Sequence, residues 1–492
     1  MPDDQQLDIP SEMPLEQTKR PILDQIDDRE LSVWIINKLK NDIRDREAFG
    51  WNAMRVYDEY SYNGYKGGKT TDPWNNASNY AVGMTPTLVD TAHANTIGSI
   101  YFDPDKVVRV KGVAPEDERT SKFVDKLLNW QVINDIEEAK DVLDKTIMNA
   151  YKHGNAPVKV IQGAGIAGQK KKVIWKRINV WNIFTNIEAQ GIQPRHSDHV
   201  FELIALDEND WEIRKTLKRP DGKLAYEGIA DLQRGNYIFS STGMDEITQS
   251  KDLTAGTSLG ERFTRDMRYI LECYVTFPHK DKQTGDVTLV ELQVAISPNG
   301  GKILSKTINE DIDENTGDAM RPYGWKFQPY PREDRAYGDS LPWLIKQSQE
   351  ELDYAHNQVM NAMEKLVKTP TFYDPNGGFD PEVVQQTPNG WYPVPDPHRN
   401  VFIPSYDYGA VFQHYRSFDL YWEYAQRRTG LTELFQGRQP ERGATLGEAE
   451  IRVNKAEIRF KVIYDRLEEG FNELIYLTYH YDKKWLPKET VV

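Results

Sequence analysis

The sequence predicts an α+β fold on three observations. Apolar residues recur at 3-to-4 spacing in the opening part and again in the last third. Between them lies a block in which apolar residues alternate every second position. The two patterns occupy separate stretches instead of interleaving, which is how helices and antiparallel strands segregate in α+β proteins.

The elements follow in order. Residues 1–29 are rich in Asp, Glu, Gln and Pro, lack periodicity, and read as a mobile arm. From Asp28 to about Tyr60, Leu31, Trp34, Ile35, Leu39, Ile43 and Phe49 mark a helix, and a polar loop follows over 61–79. Thr85-Pro86 opens a second helix over 84–101, Val107–Val110 reads as a short strand, and Glu116–Tyr151 as one or two amphipathic helices. The period then changes to two, giving strands at Pro157–Ile161, Lys172–Ile178, Val200–Ile204, Arg268–Phe277 and Thr288–Ile296. Leu341 to Leu366 form a long helix that stops at Thr369-Pro370. Eight prolines between 369 and 408 keep that segment from being helical throughout. A helix over about 409–428 carries Phe412, Tyr415, Phe418, Tyr421 and Trp422, and a Gly/Arg/Pro-rich break covers 430–445. The final helix, about 446–481, places apolar residues at 446, 449, 453, 456, 460, 463, 467, 471 and 474, the spacing of a packed helical seam.

The chain has 492 residues, enough for about three domains at ~150 residues each. Charged residues make up 28% and the mean hydropathy is −0.68, values of a water-exposed protein. No run approaches the ~18 apolar residues of a membrane span, and the acidic N-terminus does not read as a secretory signal. One cysteine, Cys273, excludes an internal disulfide and a cysteine-built zinc site, and fits a reducing compartment. The net charge of −15 argues against a protein that grips duplex DNA, because phosphate neutralisation drives such binding.

Several catalytic motifs match in letters and fail in context. Gly163-Ala164-Gly165-Ile166-Ala167-Gly168 matches the dinucleotide fingerprint, but a strand follows where a helix must start, so it reads as a hairpin tip. Asn63 to Thr70 resembles a phosphate loop with Asn at the first glycine and no flanking strand and helix. Gly256-Thr257-Ser258-Leu259-Gly260 lacks the buried strand of a nucleophile elbow. Asp311, Asp313 and Asn315 begin like a calcium loop, with Thr316 at the turn and no closing glutamate. His196 and His199 offer metal ligands, although a hydrogen-bonded strand-end pair is the commoner outcome. No catalytic residue, cofactor site or metal site is expected, and the chain reads as a structural protein, not an enzyme.

Three ordered stretches carry a resemblance. Pro73–Asn79, with Leu88–His93 and Ile100–Pro104 ahead of Val107–Val110, resembles the N-terminal wing of tailed-bacteriophage portal proteins. Tyr330–Pro342, with Glu350, Glu351, His356-Asn357 and the break at Thr369–Phe372, looks like the approach to that family's stem. Thr445–Arg452 and Asp465–Gly470 resemble the helix after its tunnel loop. Together they span most of 50–480.

The resemblance implies a portal-type fold: a mixed wing over 30–339, a stem helix over 340–368, a clip over 369–408, a second stem helix over 409–429, a tunnel loop over 430–445, and a long C-terminal helix with a short tail over 446–492. Little or no crown is expected. It further implies a homo-oligomeric ring of twelve at one capsid vertex, made in the host cytoplasm and built into the virion. The partners implied are double-stranded DNA passing non-specifically, a terminase motor, a tail adaptor and the capsid protein, with no membrane.

On that layout Asp380, Glu382 and Asp396 give the clip an acidic rim for motor docking. Phe412, Tyr415, Phe418, Tyr421 and Trp422 serve inter-subunit packing. Gln436, Gly437, Arg438, Gln439, Pro440, Glu441, Arg442 and Gly443 line the DNA channel. Without the resemblance, this last loop reads as an exposed helix–helix connection whose arginines are solvated or pair with Glu433 and Glu441. Two other readings stand beside the portal: a different ring-forming head–tail connector or adaptor, and an enzyme of nucleotide- or calcium-dependent chemistry.

Overall fold

A computed structural model describes residues 23, 25–51, 54, 58, 61–62, 68–70, 77–100, 107–112, 115–136, 138–163, 172–218, 224–232, 234, 268–280, 287–298, 300–313, 316–367, 372–373, 401–402, 408–431 and 446–485. The architecture over these residues is α+β. The helices are α1 (Asp28–Ala48), α2 (Met84–Ile100), α3 (Glu118–Trp130), α4 (Ala139–His153), α5 (Glu208–Thr216), α6 (Leu341–Val367), α7 (Tyr408–Thr429) and α8 (Leu446–Trp485). No helix among the described residues is long and apolar enough to cross a membrane.

The body is built on an antiparallel five-stranded sheet of β5 (Ile183–Thr185), β6 (His199–Leu206), β7 (Arg268–Lys280), β8 (Val287–Ile296) and β9 (Ile303–Ile308), in that order. Period-two alternation divides its two faces. Phe201, Leu203, Leu271, Cys273, Val275, Leu292 and Val294 face Leu31, Ile35, Leu39 and Ile43 of α1. Ile204, Leu206, Ile270 and Leu304 turn the other way, toward Trp211 of α5 and Ile229. With both faces covered, β6 reads as a nearly unbroken apolar run, interrupted by Glu202.

A second sheet pairs β3 (Val158–Gly163) with β4 (Lys172–Arg177) and with β10 (Tyr323–Gly324), all antiparallel. Gly163 ends β3 opposite Lys172, the first residue of β4, so a strand and no helix is the next described element after the motif, whose residues 164–168 lie outside the described residues. The largest core lies beside this sheet. It joins Leu88 and Val89 of α2, Leu143 and Ile147 of α4, Leu341 and Ile345 of α6, and Leu467, Phe471 and Leu474 of α8.

Two local expectations change. The helix after Asp28 stops at Ala48, because Gly50 turns the chain with φ +67°. Val107–Val110 is extended but is no strand: α3 side chains replace a neighbouring strand. Asn129 Oδ1 accepts from the Val107 and Val108 amides at 2.9 Å each, and Asp125 Oδ1 accepts from the Val110 amide at 2.8 Å. The stretch Glu116–Tyr151 resolves into two helices, α3 and α4, separated by a π-helical turn at Gln131–Asp135.

Candidate functional site at the root of the helical hairpin

Helices α6 and α7 pack along each other, and β11 (Phe372–Tyr373) pairs antiparallel with β12 (Val401–Phe402) at their far ends. Residues 374–400, between the two strands, lie outside the described residues. At the near end α7 stops at a left-handed glycine, Gly430 at φ +78°, whose amide donates to Gln426 O at 2.8 Å.

The start of α6 is fixed by an interlocked turn. Tyr330 O accepts the Asp339 amide at 2.9 Å, and Arg332 Nε donates to both Asp339 carboxylate oxygens at 2.9 Å. The Gly338 amide donates to Asn155 Oδ1 at 2.6 Å, and Gly154 (φ +76°) crosses so close that a Cβ there would lie 2.3 Å from Gly338 O. Ser340 caps the helix by accepting the Trp343 amide at 3.1 Å and donates its hydroxyl proton to Asp58.

Along α6, four polar residues spaced by four share one face: Gln349, Asp353, Asn357 and Asn361. This ladder engages the chain from β2 (Ala77–Asn79), which pairs with β1 (Gly68–Thr70), into α2. Asn361 Oδ1 accepts the Ser78 amide at 2.7 Å. Asn357 Oδ1 accepts the Ser78 hydroxyl at 2.7 Å and the Tyr80 amide at 2.8 Å, while its Nδ2 donates to Tyr80 O at 2.8 Å. Asp353 Oδ1 accepts the Val82 amide at 2.8 Å, and Gln349 Oε1 accepts the Thr85 amide at 3.0 Å. The buried Thr85 amide, paired this way, escapes the cost of an unpaired backbone group, and the part-buried Ser78 and Val82 amides escape part of it. Sequence reasoning named only the apolar positions of this helix and assigned its polar face no role. The four-residue spacing of neutral amides and one Asp beside an apolar stripe was the available signal.

Helix α8 locks into the same region. Gly470 lets it approach the 325–329 segment that follows β10, where a Cβ would lie 2.8 Å from Phe327 N and 2.9 Å from its ring. Glu473 Oε2 accepts the Trp325 and Lys326 amides at 2.7 and 2.9 Å, and Arg466 Nη1 donates to Pro329 O at 3.2 Å. Burial pushes the Glu473 carboxyl above its ordinary range, against the pull of those two amides. Asp311 and Asp313 also hold α8: Tyr481 and Lys484 donate to Asp311, and Tyr476 OH donates to Asp313 Oδ1 at 2.6 Å. Two acids that resemble calcium ligands thus dock a helix.

The remaining sequence candidates fall as follows. Lys69 and Thr70 lie in β1, paired with β2, where a phosphate loop would begin its helix. Residues 256–260 lie outside the described residues. His199 is buried at the start of β6, with Nε2 2.7 Å from Asp42 Oδ2 and Nδ1 2.5 Å from Asp198 Oδ1, whereas His196 is exposed. Burial alone would lower the His199 pKa; its hydrogen bonds to Asp198 and Asp42, and their charges, raise it instead. Among the described residues, no group of three or more His, Cys, Asp or Glu side chains is placed to hold a metal ion.

Of the expected subunit-packing aromatics, Phe418, Tyr421 and Trp422 pack in part against the chain's own largest core. The outward positions of the hairpin are others: Leu420 is 42% exposed, Tyr424 46%, Tyr354 67% and Met360 37%. The side chains of Phe412 and Tyr415, the acidic rim Asp380, Glu382 and Asp396, and the loop Gln436–Gly443 lie outside the described residues. No protein-family model matches this chain, and no curated protein matches it either.

Proposed function

We propose that this chain is a portal protein: a dodecameric ring at one capsid vertex that conducts the genome during packaging and ejection, and docks the packaging motor and then the tail adaptor. The observation that supports this reading is the convergence of segments distant in sequence at one joint. Ser78 meets Asn357, the turn Tyr330–Ser340 starts α6, and Arg466 and Gly470 seat α8 beside it. These are the stretches on which the resemblance rests. A rigid joint between a body and a long hairpin suits a part that holds helices around a channel while other proteins push against it. The acidic chain suits a low-friction wall for a polyanion.

The exposed apolar residues of α6 and α7 offer a contact to neighbouring copies. Closure into a ring needs a heterologous contact, because an isologous one stops at a dimer. Electron microscopy of the purified protein at micromolar concentration, with mass measurement, tests the proposal. A closed ring with a central hole is expected; a monomer or dimer under every condition overturns it.

A further inference from the structure

Between the two sheets lies a cleft of about 290 Å³, bordered also by α5 and the end of α8. Its floor is a matched set of charges. Lys159 pairs across β3–β4 with Lys176, and Glu202 pairs across β6–β7 with Glu272. Each like-charged cross-strand pair is unfavourable alone. Lys159 Nζ resolves part of the conflict by donating to Glu202 at 2.7 Å and Glu272 at 3.0 Å. Lys176 is left over.

The wall groups divide cleanly by hydrogen-bonding state. Every carboxylate is engaged: Glu202 also accepts from Tyr323 OH at 2.9 Å, Glu272 from Gln293 Nε2 at 3.1 Å, and Asp311 from Tyr481 and Lys484. Several donors are not: among the described residues, the ammonium of Lys176, the Gln162 amide and the Trp485 indole N–H have no hydrogen-bond or ion-pair partner. Arg214 donates one N–H to Tyr226 OH at 2.7 Å and acts on Glu272 only through its charge, with no carboxylate within ion-pair distance among the described residues. Four cations thus face three carboxylates here, counting Lys484 on Asp311, and the two charged lining groups left without an ion partner among the described residues, Lys176 and Arg214, are both cations. Such a wall attracts an acceptor that carries negative charge.

We infer that this cleft binds a small oxyanion, held by Lys176 and Arg214 with Gln162 and Trp485 as neutral donors. Its volume, at the low end for small-molecule pockets, suits a phosphate or a small phosphorylated or carboxylated molecule. This goes beyond the portal reading and does not depend on it.

The test is calorimetric titration of the full chain, in low-salt buffer free of both ions, with inorganic phosphate and separately with citrate. Binding of at least one is expected, weakened tenfold or more in Lys176→Ala and in Arg214→Gln and unchanged in Lys145→Ala, a remote lysine ion-paired with Asp141. Phosphate alone would assign phosphoryl chemistry to the site; both ions would assign oxyanions generally. A readout independent of any variant is amine labelling of Lys176 in the unaltered protein, which the bound anion should slow severalfold. Absence of binding by either ion, equal binding by the variants, or labelling insensitive to the anion overturns the inference.

Discussion

Adding one methyl group at Gly470 probes the joint directly, because two opposing effects give it a sign. In an exposed helix interior Gly→Ala stabilises by about 1 kcal/mol, since alanine loses less backbone entropy on folding. At Gly470 the new Cβ would sit 2.8 Å from Phe327 N and 2.9 Å from the Phe327 Cγ and Cδ1 atoms. The ring could swing away, but the backbone nitrogen can move only if α8 itself shifts, which would disturb the Glu473 and Arg466 hydrogen bonds. Overpacking of this kind costs about 1–3 kcal/mol. Set against the propensity gain, Gly470→Ala should be destabilising by up to about 2 kcal/mol. Gly98, in α2, is the control: nothing lies within 4 Å of its added Cβ, so Gly98→Ala should gain up to about 1 kcal/mol. Urea unfolding followed by tryptophan fluorescence, run on both variants in parallel, reads the opposite shifts. If Gly470→Ala stabilises as much as Gly98→Ala, close docking of α8 on the 325–329 segment is refuted.

Two further outcomes follow from buried charge. The His199 pKa is raised in the native state, so its contribution to stability is complete below about pH 6.5, the ordinary imidazole value, and fades as pH rises through the native one. Urea midpoints should fall with rising pH above that point, and the slope should be shallower in His199→Gln; identical slopes would exclude a charged native His199. Lys159→Met should cost about 3–5 kcal/mol by leaving Glu202 and Glu272 buried without their shared cation, and adding Glu202→Gln and Glu272→Gln should recover most of it. A loss under about 1 kcal/mol for the single change would mean that the ion set does not hold the sheets together.

What the sequence by itself determined about this protein is the α+β class, most of its long helices and strands, and the strand context of Gly163 that rules out a dinucleotide site. Periodicity belongs to neighbours along the chain, so the alternation in β7 and the seam of α8 from Phe460 to Leu474 could be read without knowing what they face. The same holds for the hairpin context of Gly163, because a strand on either side of a glycine run is a local pattern. Only the tertiary structure decided what the polar residues do. Asn357 meets Tyr80 across 277 positions, Lys159 meets Glu202 across 43, and Asp311 meets Tyr481 across 170. Val107–Val110 missed being a strand for the same reason, since whether an extended segment pairs depends on who arrives beside it, and here it was the side chains of α3. A hydrogen-bonding group has many equivalent partners in an unfolded chain. The fold selects one by bringing distant backbone within about 3 Å, and no spacing along the sequence records that choice.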